Sequence, residues 1–573
     1  MLHPSKRRSG RGPTPRADWR IRSVLLLTAL AIFVGSPIVA MFYGALRPSI
    51  TAPPLVLSLD AVADVYLSPT VWVSLLGTVG IALAVALVAT LVGAMLAWLT
   101  SRTDIGFKGP LEVLILAPLF TSPFVAAIAW YALAAPRSGL LNLAIGRAFG
   151  TTDPVLNVTS VPGIIWVLAV HSMPYAYLFI SSSLRNMDPA LEAASYVNGV
   201  GVLRTIRRVT LPLVTPAIGS SIMFIAIFSA GIFSVPGVLG RQLGFDPLPV
   251  LIYRAISQFR ADYAEAAALA SMLFLLSVAF LYLYRRLTRL EQRLVTVSGK
   301  GFQPRLLRLG RWHGLVGGLV GLYGFVCVVL PLIALIIAAL SPFASRDFAN
   351  LELSAAPMLA VLADPAVRTA GVNTVIAVVV SALACVAISL ASVFVARLRG
   401  RGAVSALLDY VNSFPLAVPG IVLAAGLVWV YIRTPLYATL ALLIIAYVIS
   451  HVPHSYRLIR NGALQLSQEL EEASYVNGVG RLGTARRITT PLLLPSVYAS
   501  IVLVTIFVIR EVNAVILLYT PSTRVLSVLT WDYIADGNLS SAATVGLIQT
   551  VFLILALVIA RLVFRVRLTN AYR

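Results

Sequence analysis

Apolar runs long enough to cross a bilayer recur along this chain twelve times, and no soluble fold can hide that many from water. Crossing the hydrocarbon core takes about 20 mostly apolar residues. The runs lie at about 23–46, 71–100, 111–135, 160–183, 211–235, 263–284, 314–341, 371–396, 405–432, 435–456, 490–520 and 542–564. Backbone polar groups in lipid must be satisfied within their own segment, so the runs are expected to be helices of an all-α integral membrane protein. Only 12% of the residues are charged, where a soluble domain carries about 25%. Lys and Arg outnumber Asp and Glu 44 to 22. In a soluble chain that excess would suggest nucleic acid; here it is assigned to loops held on the cytoplasmic side, and no nucleic-acid partner is expected.

The first run follows a basic stretch containing Lys6, Arg7, Arg8, Arg11, Arg16, Arg20 and Arg22. It is longer than a signal-peptide core and lacks a small-x-small cleavage pattern, so it reads as a first span behind a disordered cytoplasmic tail, residues 1–22. With both termini inside, cytoplasmic segments hold 33 Lys and Arg, counting Arg561 at the inner end of the last run, and external ones 10, leaving Arg510 within a span. One span more or fewer would scramble this bias, so the number is even. Cys327 and Cys385 sit far apart in apolar runs and suggest neither a disulfide nor a metal site.

The chain repeats itself. Leu191 to Pro212 reads LEAASYVNGVGVLRTIRRVTLP and Leu470 to Pro491 reads LEEASYVNGVGRLGTARRITTP, 16 matches in 22 at an offset of 279 residues. Upstream, HSMPYAYL from 171 is echoed by HVPHSYRL from 451. The sequence therefore divides into the tail, a first six-helix half (23–290), a cytoplasmic linker (291–312) and a second six-helix half (313–573). An even number of spans per half gives both the same orientation, with a pseudo-twofold axis along the membrane normal. The best-matched segment is a polar loop outside the membrane. A loop held this alike points to one binding task performed twice, beyond what duplication alone explains.

Asp188 followed by Pro189, and Ser467 followed by Gln468 and Glu469, are helix starts. Each helix is expected to run to Tyr196 or Tyr475 and to stop at Asn198-Gly199 or Asn477-Gly478, which tolerate the left-handed conformation. A second short helix with Arg207-Arg208 or Arg486-Arg487 should follow, Pro212 or Pro491 marking the start of the next span. An amphipathic helix resting on lipid would suit the arginines. It gives no reason for the Ala-Ser-x-x-x-Gly spacing, whose small residues let another protein approach closely.

These residues resemble the EAA loop of bacterial ABC importer permeases, roughly E-A-A-x3-G-x9-I-x-L-P. The second copy reads Glu472-Ala473-Ser474, Gly478, then Ile488-Thr489-Thr490-Pro491; the first reads Ala193-Ala194-Ser195, Gly199, then Val209-Thr210-Leu211-Pro212. The first copy has Ala193 at the glutamate position, with Glu192 one residue earlier, and the second has Thr490 for leucine. The resemblance implies the type I importer fold with MetI-like halves. It assigns Glu192, Ala193, Ala194, Ser195, Tyr196, Gly199 and Pro212 to one ATPase-coupling loop, and Glu472, Ala473, Ser474, Tyr475, Gly478 and Pro491 to the other. Because only the second copy has glutamate at that position, the loops are expected to engage unequally.

The same resemblance implies partners: two copies of an ATPase and an extracytoplasmic substrate-binding protein, in a bacterial inner membrane. The sequence has no G-x4-G-K-[ST], so no enzyme activity and no cofactor are expected on this chain, with ATP and Mg on the ATPase. SVPGVLG (234–240), LIYRAI, DYAEAAALA and REVNAVILLY (510–519) are similar to fused permeases of the ferric-iron class. That likeness implies ferric iron as substrate, with thiamine, phosphonate or polyamine-type substrates as alternatives. A secondary transporter of 6+6 spans is the alternative of a different class. Its major-facilitator form usually carries G-x3-D-R-x-G-R-R between spans two and three, where this chain has SRTDIGFKG.

Arg510, Glu511 and Asn513 fall in the eleventh run, at a depth where ionisable groups are costly and often functional. Either they line a translocation path or Arg510 pairs between helices and holds the bundle. Neighbours on a helix point about 100° apart, so Arg510 and Glu511 are not expected to neutralise each other. The matching positions in the first half are Gly231 and Ile232, which predicts asymmetry. His171 and His451 are placed near the inner end of the fourth span of each half, in structural roles rather than as metal ligands. The longer external segment at about 136–160 is a candidate docking element or a neutral insertion.

Overall fold

The computed structural model of the chain describes residues 15–151, 153–294, 307–342, 352–399, 402–467 and 469–564. Ten helices among them are long and apolar enough to cross a membrane. In the first half these are span 1 (Ser23–Ala45), span 2 (Pro69–Arg102), span 4 (Val161–Asn186), span 5 (Val202–Ala230) and span 6 (Tyr263–Thr288). In the second they are Gly310–Leu340, Pro365–Arg397, Leu440–Leu464, Ala485–Arg510 and Leu539–Ile559, in the same order. Span 3 of each half is a broken pair, Lys108–Phe120 with Pro123–Ala134 bent by 101° and Ala403–Ala417 with Gly420–Tyr431 bent by 106°, which brings the total to twelve.

The breaks differ from the straight helices expected over 111–135 and 405–432. Pro118 and Pro123 in one half, Pro415 and Pro419 in the other, account for them. Proline has no N–H to donate, and its ring collides with the preceding turn. Each break leaves backbone carbonyls without helical partners inside an apolar protein, where they need donors.

Span 5 also ends early. Its helices stop at Ala230 and Arg510 although the apolar runs continue to about 235 and 520. After Arg510 the Glu511 carboxylate accepts the Ala514 N–H at 3.0 Å and the Asn513 amide at 3.2 Å, a local alternative to helical bonding. The tail behaves differently from expectation too: helix begins at Pro15, since a formed span extends cheaply into its flank. Residues 1–14 of the tail and 295–306 of the linker lie outside the described residues. Within the described end of the linker, the Leu307 N–H donates to the Arg102 carbonyl at 2.9 Å, and the Asp104 N–H to the Leu307 carbonyl at 3.1 Å.

Spans 2, 4 and 5 pack together within each half. Glycine brings spans 2 and 4 close: a Cβ on Gly93 would stand 2.6 Å from that of Ala176. On the outer face of span 2, Leu76, Leu87, Leu91 and Met95 are exposed, as are Val372, Val375, Val379 and Leu383 in the second half. These rows form an apolar belt suited to lipid. Span 1 packs in both cases on span 6 of its own half and on the second arm of the other half's span 3. The two halves therefore interlock.

Span 4 starts at Val161 and Leu440, with internal prolines at Pro174 and Pro453 and buried tyrosines at Tyr177 and Tyr456, all 279 residues apart. That register aligns His171 with Ser450 and Ser172 with His451. The upstream echo is thus displaced by one residue, and the two histidines are not equivalent. Both lie near the middle of their helices, not near the inner end.

Candidate functional site

The two repeat loops start and stop where their sequence places them. Asp188 accepts the Ala190 N–H at 2.9 Å, and Ser467 accepts the Glu469 N–H at 3.2 Å. Helices Pro189–Val197 and Glu469–Val476 follow; Gln468 lies outside the described residues. Gly199 and Gly478 then adopt φ of +74° and +79°. The chain folds back so that the Val200 and Val479 N–H groups reach the Ser195 and Ser474 carbonyls, at 3.1 Å in each loop.

The second arm is not a separate helix. It runs through a π-turn, Ile206–Thr210 or Ala485–Thr489, straight into span 5. The Leu211 N–H reaches the Ile206 carbonyl and that of Thr490 reaches Ala485. The extra residue in the turn makes room for Pro212 and Pro491, whose rings would otherwise strike the turn before them. These prolines lie inside a continuous helix rather than marking its start. A displacement of the loop therefore passes into span 5 without an intervening hinge.

Beneath each loop is a polar knot, buried in the first half and partly buried in the second. Arg102, the last residue of span 2 and 3% exposed, lies 2.9 Å from the Glu192 carboxylate. It also donates to the Leu184 carbonyl near the end of span 4 at 2.8 Å. The Thr210 hydroxyl donates to Glu192 at 2.7 Å, and the Ser195 and Thr205 hydroxyls meet at 2.8 Å. The second half repeats the arrangement. Arg397 lies 2.9 Å from Glu471 and donates to the Ala463 carbonyl, Thr489 donates to Glu471 at 2.8 Å, and Ser474 meets Thr484 at 2.9 Å. One arginine per half thus ties span 2, span 4, the loop helix and the foot of span 5 together.

This geometry pairs Glu192 with Glu471, both drawn inward. Glu472 is exposed and corresponds to exposed Ala193. The glutamate difference between the copies lies on the outer face of the loop, and the knots are alike. That outer face is small and apolar at its tip: Ala193, Ala194, Ala473, Gly199 and Gly478 are exposed, and Val197 and Val476 project at 87% exposure. Tyr196 and Tyr475 are half-buried beside it; burial, with the Glu192 carboxylate nearby, raises the Tyr196 phenol above its ordinary pKa. Arg102 and Arg397 were not singled out by the sequence reading. The signal available was a basic residue closing span 2 in each half.

A second cluster forms where the breaks meet between the halves. Arg510 donates to the Leu119 carbonyl beside the broken span 3 of the first half, and its guanidinium lies 2.9 Å from His171 Nε2. The Ser122 hydroxyl donates to the Arg510 carbonyl at 3.2 Å. The Asn513 side-chain oxygen accepts the N–H groups of Phe233 at 3.0 Å and Ser234 at 3.2 Å, where short helix Ser234–Leu239 begins. Glu511 turns onto its own loop, so the two adjacent charges go to different partners. Next to them the Phe233 ring lies tilted with its centroid 4.7 Å from that of Trp531 and 4.8 Å from that of Tyr253, and Phe124 lies 6.0 Å from Trp531. Among the described residues no group of three His, Cys, Asp or Glu is placed to hold a metal ion. Cys327 and Cys385 are buried thiols.

The family model described as "Binding-protein-dependent transport system inner membrane component" matches residues 89–293 and 388–568, one match in each half. The Fe(3+)-transport system permease protein FbpB 2 of Haemophilus influenzae is 25% identical over 536 residues, covering 92% of this chain and 96% of that protein. The ferric transport system permease protein FbpB of Actinobacillus pleuropneumoniae is 27% identical over 476 residues, 82% of this chain and 67% of that one. A solved bacterial alginate ABC transporter, in complex with an alginate pentasaccharide-bound periplasmic protein, aligns with 50% of this chain and 98% of the matched chain, at 18% identity and a TM-score of 0.38.

Proposed function

The chain belongs to the family of binding-protein-dependent transport system inner membrane components, and from that premise we propose that it moves ferric iron through an ATP-driven importer. It is a multi-pass permease with two family domains fused in one polypeptide. In this reading the termini and both repeat loops are cytoplasmic, each loop receives one of two ATPase copies, and an external binding protein delivers the substrate. ATP and Mg belong to the ATPase. The observation that carries the reading is the loop knot, repeated with matching hydrogen bonds in both halves. Closure of the ATPases would press the loops together. Each loop would move span 5 through its π-turn, and spans 2 and 4 through Arg102 or Arg397.

Ferric iron as the substrate rests on relatives named for ferric transport that align with most of this chain. The test is uptake into proteoliposomes holding this chain and its ATPase, with binding proteins loaded in turn with ferric iron, thiamine, a phosphonate or a polyamine. Uptake of iron alone is expected; uptake of another substrate and not iron would contradict the assignment.

Two substitutions probe the docking face. Gly478→Val should strain the turn by about 1–2 kcal/mol, because a β-branched residue fits the left-handed region poorly. It is expected to weaken ATPase capture in a pull-down while membrane insertion stays normal. Glu472→Ala makes the second loop resemble the first at that position and should leave ATPase capture within about 5-fold, because most residues of a docking face cost less than about 1 kcal/mol when truncated.

A further inference from the structure

We propose that Arg510 and Asn513 form a one-sided latch, by which the second half holds the broken spans of the first and keeps the path between them shut. The inference rests on the permease reading above and adds to it the residues that set when the seam opens. Arg510 supplies a donor to the Leu119 carbonyl beside the interrupted span 3, and its own carbonyl accepts from Ser122 across the same break. Asn513 satisfies two backbone N–H groups, of Phe233 and Ser234, where span 5 of the first half has unwound. Backbone groups at such breaks have no water to turn to while the seam is closed, so each donor or acceptor brought from the other half favours closure.

Among the described residues the first half returns no equivalent. The repeat register places Gly231 opposite Arg510 and Ser234 opposite Asn513. Gly231 has no side chain and lies against Pro419 at the break in the second half's span 3, where an added Cβ would come within 2.8 Å of the proline ring. The buried Ser234 hydroxyl has no hydrogen-bond partner among the described residues. At the break itself one seam of the pseudo-twofold pair is thus hydrogen-bonded and the other closed by contact; there the second half's span 3 bonds the first half further along its second arm, where the Trp429 indole N–H donates to the Tyr263 carbonyl at 3.1 Å. Beside the bonded seam, Phe124, Phe233 and Trp531 are each no more than 5% exposed, drawn from both halves. Separating the halves must break the Arg510 and Asn513 bonds before these rings can part.

Arg510 and Asn513 act here as positioning residues. The test places a cysteine at Phe124 in the full chain, with Cys327 and Cys385 replaced by alanine, and follows its reaction with a membrane-impermeant maleimide in proteoliposomes. Phe124→Cys alone should be protected. Adding Arg510→Gln, or Asn513→Ser, which installs the residue type found at Ser234, should speed labelling roughly 10-fold or more, the scale on which losing a hydrogen bond to a charged or buried group shifts a two-state equilibrium. Arg510→Lys should fall between, keeping charge but not the planar fork. Equal protection in the Asn513→Ser and Arg510→Lys chains would overturn the latch, even if Arg510→Gln failed to fold. Labelling needs no ATPase. The permease reading is tested separately, by whether loaded binding protein stimulates ATP hydrolysis in the unsubstituted complex.

Discussion

Arg102→Ala is expected to abolish coupling through the first half while leaving the chain in the membrane. Arg102 is buried and serves the Glu192 carboxylate and the Leu184 carbonyl at once. Removing one partner of a buried ion pair strands the other and costs about 3–5 kcal/mol. The cost falls on the junction of four elements, so the loop should detach from spans 2 and 4 without unfolding either span. Stimulation of ATP hydrolysis by loaded binding protein should drop to the basal level. Arg397→Ala should do the same through the second half, because its contacts with Glu471 and Ala463 repeat those of Arg102. Arg102→Lys keeps the charge but cannot reach carboxylate and carbonyl from one rigid fork, and should retain part of the stimulation. Full stimulation in both alanine variants would mean that the loops move the spans by some other route.

Gly426→Val is expected to be the most damaging apolar substitution, and its effect falls on assembly of the halves. Gly426 lies on the second arm of the second half's span 3, where span 1 of the first half crosses. A Cβ there would overlap the Pro37 carbonyl. Pro37 sits inside the span 1 helix, so backbone would have to yield. Overpacking a filled core costs about 1–3 kcal/mol, and more where backbone is struck. The Gly426→Val chain should show a clear loss of thermal stability in detergent and increased proteolysis between the halves. Gly371→Val is the control: it is also on a span, in span 2 of the second half, but has nothing within 4 Å of an added Cβ, and should behave as the unsubstituted chain.

Much of the fold was legible because lipid imposes strong rules. Apolar runs of about 20 residues marked the spans, and the 279-residue repeat marked the halves. The loop caps at Asp188 and Ser467 and the stops at Gly199 and Gly478 followed from local backbone chemistry. What sequence hid was where an apolar run ceases to be helix. Leu116 to Val125 and Ala417 to Val422 are apolar enough to continue, and only the prolines, read as structural rather than as run-internal, predict the bends. The end of span 5 was hidden for a similar reason: Glu511 and Asn513 make local bonds that hydropathy does not register.

The loop sites were visible as motifs but not as geometry. Family spacing puts weight on Glu472, whereas the inward position, paired with an arginine, belongs to Glu471 and Glu192, one residue earlier in the motif. Their arginine partners lie 74 and 90 residues upstream, a distance no local pattern covers. The threonines that complete the knots, Thr210 and Thr489, were in the repeat all along, as one of its 16 matches. Arg510 was flagged by its depth, yet its partners Leu119 and His171 belong to the other half and emerge only from the interlocked packing.

The central claim is that this chain is driven by ATP through its two twin loops. The most direct measurement is uptake into proteoliposomes that contain the chain with or without its ATPase, in the presence of loaded binding protein. Uptake is predicted to require ATPase and ATP together, to be unaffected by ionophores, and to be lost in the Arg102→Ala, Arg397→Ala double variant. Uptake by the chain alone, driven by an ion gradient and abolished by ionophore, would contradict the account.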